Sequence, residues 1–190
     1  MRWLAFAFLV AVSTAQGQEP ANGILLVAKP GLVDPNFRQT VVLVTQAADA
    51  STVGVILNRP TTRKHEQTGE VIYTGGPVMR EVLVAVFRAA QPPEAPAFRV
   101  LRDVYLSMHP ANLERLLESE ARDYRLYAGF SGWAPRQLEA EMQRDGWYVQ
   151  PATEELIFRA DTAGMWEQLV EKARGGRATF RIIPQRETSK

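Results

Sequence analysis

The chain has 190 residues, 46% hydrophobic and 23% charged, which is enough for one domain with a real core. Its 22 Lys and Arg nearly match its 21 Asp and Glu, and no segment carries a basic stripe, so the charge argues against nucleic acid as a partner. It has no cysteine, which excludes disulfides, thiolate metal sites and a cysteine nucleophile.

The first residues, MRWLAFAFLVAVSTAQGQ, place Arg2 before an apolar run from Trp3 to Val12. Ser13 with Ala15, and Ala15 with Gly17, form small-x-small cleavage patterns, so residues 1–17 read as a signal peptide. Residues 18–190 then form a single domain with a core at about 23–174. The apolar run falls short of the ~20 residues that span a bilayer, and no transmembrane segment is expected in the mature chain. Cleavage removes Arg2 and balances the charge. The expected location is the periplasm or the medium. Cytoplasmic location is the alternative if the segment stays attached.

Next comes GILLVAKP, a near-continuous apolar run ended by Pro30, which predicts a buried strand. GLVDPNFRQ is turn-rich, with Asp34 before Pro35 as a turn starter. TVVLVTQ and TVGVILN are β-branched and close enough to pair as a hairpin. RPTTRKHEQTGE, residues 59–70, is charged and aperiodic and predicts a loop. VIYTG and EVLVAVFRA predict strands on either side of Gly75-Gly76-Pro77, and RVLRDVYLS predicts one more strand over 99–107. HPANLERLLESEA carries Leu113, Leu116 and Leu117 at helical spacing. DYRLYAGF predicts a strand, and SGWAPRQLEAEMQRDG a helix with Pro135 in its first turn and Gly146 as its stop. WYVQPA and EELIFR read as short strands. DTAGMWEQLVEKARGG predicts a helix capped by Asp161 or Thr162, and RATFRIIP a last strand. A β-rich first part and an alternating second part give a single domain of mixed α/β (α+β) class.

The chemistry-bearing residues are sparse. His65 and His109 have no partner at metal-ligand spacing, and no D-x-D loop is present, so neither a metal nor a cofactor is expected. No G-x-S-x-G elbow exists, because GFSGW sets Ser131 in the wrong frame. GGPVMR lacks nucleotide-fingerprint spacing, and Pro77 removes a donor that an anion nest would use. It reads instead as a tight turn at one rim of the sheet, whose backbone must pass close to something else. What remains is a set of polar residues in rigid turns: Lys29, Asn58, Arg59, Gly75, Gly76 and Arg80, with Gln137. If the strand ends gather, these form a candidate site for a small polar or anionic ligand.

GILLVAKPGLVDPNFRQTVVLVTQ, GVILNRPT, YTGGPV and YAGFSGWAPRQLEAEMQRDGWYV, taken in order, resemble the AlgH/YqgE family from about Gly23 to Trp166. The resemblance implies a bent, partly barrel-like β-sheet with flanking helices, and it implies no enzyme. One branch of that family carries the label of a transcriptional regulator of alginate synthesis. Signature positions fall here on Pro30, Asp34, Pro35, Phe37, Asn58, Pro60, Gly75, Gly76, Pro77, Gly129, Gly132, Trp133, Gln137, Leu138, Glu141 and Trp147. Val86-Phe87 stand where many relatives carry Leu-His. The expected function is a non-enzymatic, exported ligand-binding or regulatory protein. The alternatives are a cytosolic transcriptional regulator and a hydrolase that uses Ser131 or a carboxylate.

Overall fold

The computed structural model describes residues 23–47 and 49–175. The expected signal peptide and the strand expected over RATFRIIP lie outside the described residues. In chain order the elements are β1 (Ile24–Ala28), β2 (Val41–Gln46), β3 (Thr52–Ile56), β4 (Pro60–Lys64), β5 (Val71–Thr74), β6 (Val78–Arg88), β7 (Phe98–Leu101), β8 (Val104–Ser107), α1 (Pro110–Glu118), β9 (Tyr124–Trp133), α2 (Gln137–Gln143), β10 (Trp147–Pro151), α3 (Glu154–Ile157) and α4 (Met165–Gly175).

The strands form one sheet in the order β10-β1-β2-β3-β9-β6-β8-β7, with β4 attached to β5 and β5 to β9. The domain is the mixed α+β fold that the sequence predicts. The sheet curls without closing. Its β7 end returns to β2, where the Thr45 hydroxyl donates to the Arg99 carbonyl at 3.0 Å, but no ladder joins the two strands.

β9 is shared by both halves. Its last residues, Ser131–Trp133, pair with Thr52–Gly54 of β3. Its earlier residues, Leu126–Ala128, run parallel to Ile72–Thr74 of β5, while β6 takes the opposite edge. Gly75 stands where β3 and β5 part. Its N–H donates to the Ala128 carbonyl at 2.9 Å, and its carbonyl accepts the Ile56 N–H at 2.9 Å. A Cβ on Gly75 would overlap the Gly129 carbonyl, and one on Gly76 would overlap the Phe130 carbonyl. Only glycine permits so close a backbone approach. The turn between β5 and β6 is therefore real, but it lies buried against the middle of β9 rather than at a rim.

Period-two alternation sorts the strand residues into three cores. Leu25, Val27, Leu43, Val55, Val86 and Leu106 point inside the curl with Tyr127, and Ile157, Met165 and Leu169 of α3 and α4 complete that core. On one outer face, Leu26, Val42, Ile56, Trp133 and Trp147 are covered by Leu32 and Phe37 of the β1–β2 loop and by Leu138 and Met142 of α2. On the other, Ile72, Phe87 and Leu126 are covered by Leu113, Leu116 and Leu117 of α1. Both faces of the central strands are thus buried, which explains their unbroken apolar runs. Each fully buried Leu or Val contributes about 1.5–3 kcal/mol relative to an exposed one.

Several expected elements differ. Residues 60–64 form β4 rather than a loop, pairing with β5. Its polar sequence reflects an exposed edge, with Pro60 at the first position and Arg63 and Lys64 facing solvent. Residues 98–107 form a hairpin instead of one strand, reversing at Arg102-Asp103 between the Leu101 and Val104 partners. EELIFR begins with a helix, because the Thr153 hydroxyl accepts the Leu156 N–H at 3.3 Å and two glutamates occupy the first turn. The helix predicted over 131–146 shortens to α2, since Ser131–Trp133 complete β9. The last helix begins at Met165, and the Asp161 carboxylate accepts the Ala163 N–H at 2.9 Å just before it.

Candidate functional site

Most of the polar residues singled out in the sequence meet around one feature, the loop of residues 29–40 between β1 and β2. Asn58 bridges its end. The Asn58 amide accepts the Val41 N–H at 2.8 Å and donates to the Gln39 carbonyl at 3.0 Å, holding Gln39 at a φ of 56°. Arg59 donates to the Asn36 carbonyl at 2.7 Å and to the Arg38 carbonyl at 3.0 Å. Burial, and then the neighbouring Arg38 charge, lower its basicity from the usual range. Arg80, exposed on the β6 bulge, reaches the Asn36 side-chain carbonyl at 3.3 Å. Lys29 pairs with Asp145 and lies 4.8 Å from the Tyr148 ring centre.

Gln137 belongs to the far side of the same loop. It accepts the Ala134 N–H at 3.1 Å and donates to Glu141 at 3.2 Å. The Glu141 carboxylate also accepts both indole N–H groups, Trp133 at 3.0 Å and Trp147 at 3.4 Å. Phe37 stacks on Trp133 and meets Trp147 edge-on, each at 5.7 Å between ring centres. Phe37, packed on the two indoles that Glu141 holds, thus pins the loop from one side, and Asn58 and Arg59 pin it from the other. The hydrogen bonds of Lys29, Asn58, Arg59 and Gln137 named here all go to protein groups. Gly75 and Gly76 are buried against β9, and the Gly75 carbonyl takes a second donor, the Ser131 hydroxyl, at 3.2 Å. Ser131 is fully buried, so its hydroxyl is not exposed to solvent. His109 is a helix cap whose ring accepts the Ala111 N–H at 3.3 Å, and His65 lies 3.4 Å from the Thr68 hydroxyl. Among the described residues, no three His, Asp or Glu side chains gather as metal ligands.

A second site lies where β9 begins, at one mouth of the curled sheet. A cleft of about 380 Å³ is lined by Glu70, Tyr73, Arg88, Arg122, Tyr124, Arg125 and Phe158. Arg88 lies 3.7 Å from the Phe158 ring centre and contacts Glu154 at 3.1 Å and Asp123 at 3.6 Å. Arg122 faces Glu70 at 3.8 Å, near the limit of an ion pair. Arg125 donates to the Ile157 and Arg159 carbonyls at the end of α3 and lies 4.9 Å from the Tyr73 ring centre. Among the described residues no carboxylate pairs with Arg125. The Tyr124 hydroxyl is buried, as is that of Tyr127, and neither has a hydrogen-bond partner. Burial pushes the Tyr127 phenol far above its usual range, against the pull of Arg125. Sequence reading passed over this cleft because its arginines are scattered over 37 positions in three segments, with no motif joining them. The one signal was the clustering of Arg122 and Arg125 at a strand start.

The profile of the family described as AlgH-like matches residues 25–178. A UPF0301 protein of Thermobifida fusca is 33% identical, over 84% of this chain and 89% of its own. A UPF0301 protein of Mycobacterium tuberculosis is 31% identical, over 82% and 83%. The crystal structure of a Corynebacterium diphtheriae protein superposes with a TM-score of 0.66 at 25% identity, covering 81% of this chain and 87% of that one. The solution structure of the AlgH protein from Pseudomonas aeruginosa gives 0.66 at 22% identity, over 83% and 89%, and so shares the fold.

Proposed function

The chain belongs to the AlgH-like family, and from that premise we propose that it is an exported, non-enzymatic protein that binds a small polar or anionic ligand. The observation that carries the reading is the cleft at the start of β9, which Arg88, Arg122 and Arg125 line together. Its volume, about 380 Å³, suits one small molecule. Guanidinium groups present planar N–H forks to oxyanions. The burial of Ser131 speaks against the serine form of the hydrolase reading. Export is supported by the Arg2-led apolar run and its small-residue cleavage patterns.

The test is a thermal-shift screen of the mature protein against anions, nucleotides and sugars, paired with mass spectrometry of the N-terminus after cell fractionation. The reading expects a ligand-dependent rise in Tm and a mature chain starting near residue 18 outside the cytoplasm. An intact N-terminus in the cytoplasm, with salt-dependent binding to duplex DNA, would establish the regulator reading instead.

A further inference from the structure

We infer that the ligand is a phosphate monoester, or another small phosphoryl oxyanion, and that Glu70 is its built-in competitor. The inference rests on the binding role proposed above and specifies its chemistry.

The argument starts from donors. A guanidinium carries five N–H donors. Arg88 has Glu154 and Asp123 as its ionic partners, and Arg125 donates to two backbone carbonyls. Arg122 donates to the Ser119 carbonyl, and its carboxylate neighbour stands at 3.8 Å. Each therefore keeps donors beyond its named partners. A carboxylate has two oxygens to offer such a set, whereas a phosphoryl group has three strong acceptors and carries up to two charges near neutral pH. Phosphoryl chemistry matches the supply of donors better.

Charge balance then identifies the competitor. Glu154 and Asp123 hold Arg88 from outside the lining of the cleft, whereas Glu70 is part of that lining and faces Arg122. An oxyanion in the cleft takes the place at Arg122 that the Glu70 carboxylate now occupies, and Glu70, on the β4–β5 turn, is released towards solvent. The Arg122–Glu70 contact is long, and both side chains are at least a third exposed, so the exchange costs little. No covalent step is involved.

The experiment is calorimetric titration of the mature protein with phenyl phosphate, inorganic phosphate and benzoate, using wild type, Glu70→Gln, Arg122→Gln and Arg80→Ala. Phenyl phosphate should bind more tightly than benzoate. Glu70→Gln should tighten it about two- to fivefold, the range that an exposed pair carries. Arg122→Gln should weaken it about tenfold through one lost charge-assisted hydrogen bond, while Arg80→Ala, on the separate loop cluster, leaves it unchanged. Arg122 is partly exposed and its pair with Glu70 is long, so a drop in binding with undiminished Tm separates ligand contact from loss of fold. Equal or weaker binding by Glu70→Gln overturns the competitor. Benzoate binding as well as phenyl phosphate overturns the phosphoryl assignment. A Tm shift with a neutral sugar and none with either phosphate overturns the inference and leaves the binding role standing. No shift with any compound of the broader screen removes both.

Discussion

Gly76 lies so close to Phe130 that a single added methyl group would overlap the Phe130 carbonyl. The obstacle is backbone at the centre of β9, and it has no rotamer through which to yield. Gly76→Ala is therefore expected to cost about 3 kcal/mol or more, at or above the upper end for overpacked cores. In a chain of this length that lowers Tm by roughly 6–12 °C. Urea unfolding of the protein checks it, with Gly31→Ala, where added volume meets nothing, as the control.

The Arg59 fork makes a second prediction. A lysine cannot span the Asn36 and Arg38 carbonyls as the guanidinium does. Arg59→Lys should cost about 1–2 kcal/mol and should act locally, speeding proteolysis within residues 31–38 several-fold. Cleavage at the wild-type rate would mean that Phe37 and Asn58 hold the loop without it.

Glu141 supports two indoles at once. Glu141→Ala leaves the Trp133 and Trp147 N–H groups, both in buried residues, without their acceptor. Each orphaned donor costs about 1–3 kcal/mol. Glu141→Gln keeps an acceptor oxygen and should cost less than half as much. The urea midpoint and the tryptophan emission spectrum read both effects.

Tyr127 predicts an alkaline limit to stability. Its phenol titrates higher in the folded protein than the ~10 expected in the unfolded chain, because burial disfavours the phenolate. The stability linked to it is fully present below pH ~10 and is lost as pH rises above that value towards the folded pKa, by up to about 1.4 kcal/mol per pH unit. Tyr127→Phe should flatten that decline between pH 10 and 11.5. It also removes a hydroxyl without a partner, so at pH 7 it should be neutral or mildly stabilising. An unchanged alkaline slope would reject the assignment.

How far the sequence could be read follows from what each residue touches. Val41–Thr45 and Leu25–Ala28 announced buried strands because both of their faces are covered, and one-dimensional composition records that directly. Pro60–Lys64 did not, since an edge strand exposed to water looks like a loop. Thr153-Glu154-Glu155 carried a capping signal that the apolar LIF stretch masked. Asn58 and Arg59 stood out in the sequence as polar residues in a turn, but nothing local shows that their partners lie 17 to 24 positions back, in and just after the β1–β2 loop. The cleft depends on bringing residues 70, 88, 122 and 158 together, and only the path of the sheet does that.

That path also sets an order of events in synthesis. β1 finds its outer neighbour only when Trp147–Pro151 exist, and β3, β5 and β6 all await Tyr124–Trp133. Pairings of such long sequence separation form late and slowly. The nascent chain therefore stays open until about four-fifths of it has been made, and the first 120 residues on their own are no folding unit. Truncations before residue 133 should yield protease-sensitive, unpaired β1–β3 rather than a smaller stable domain.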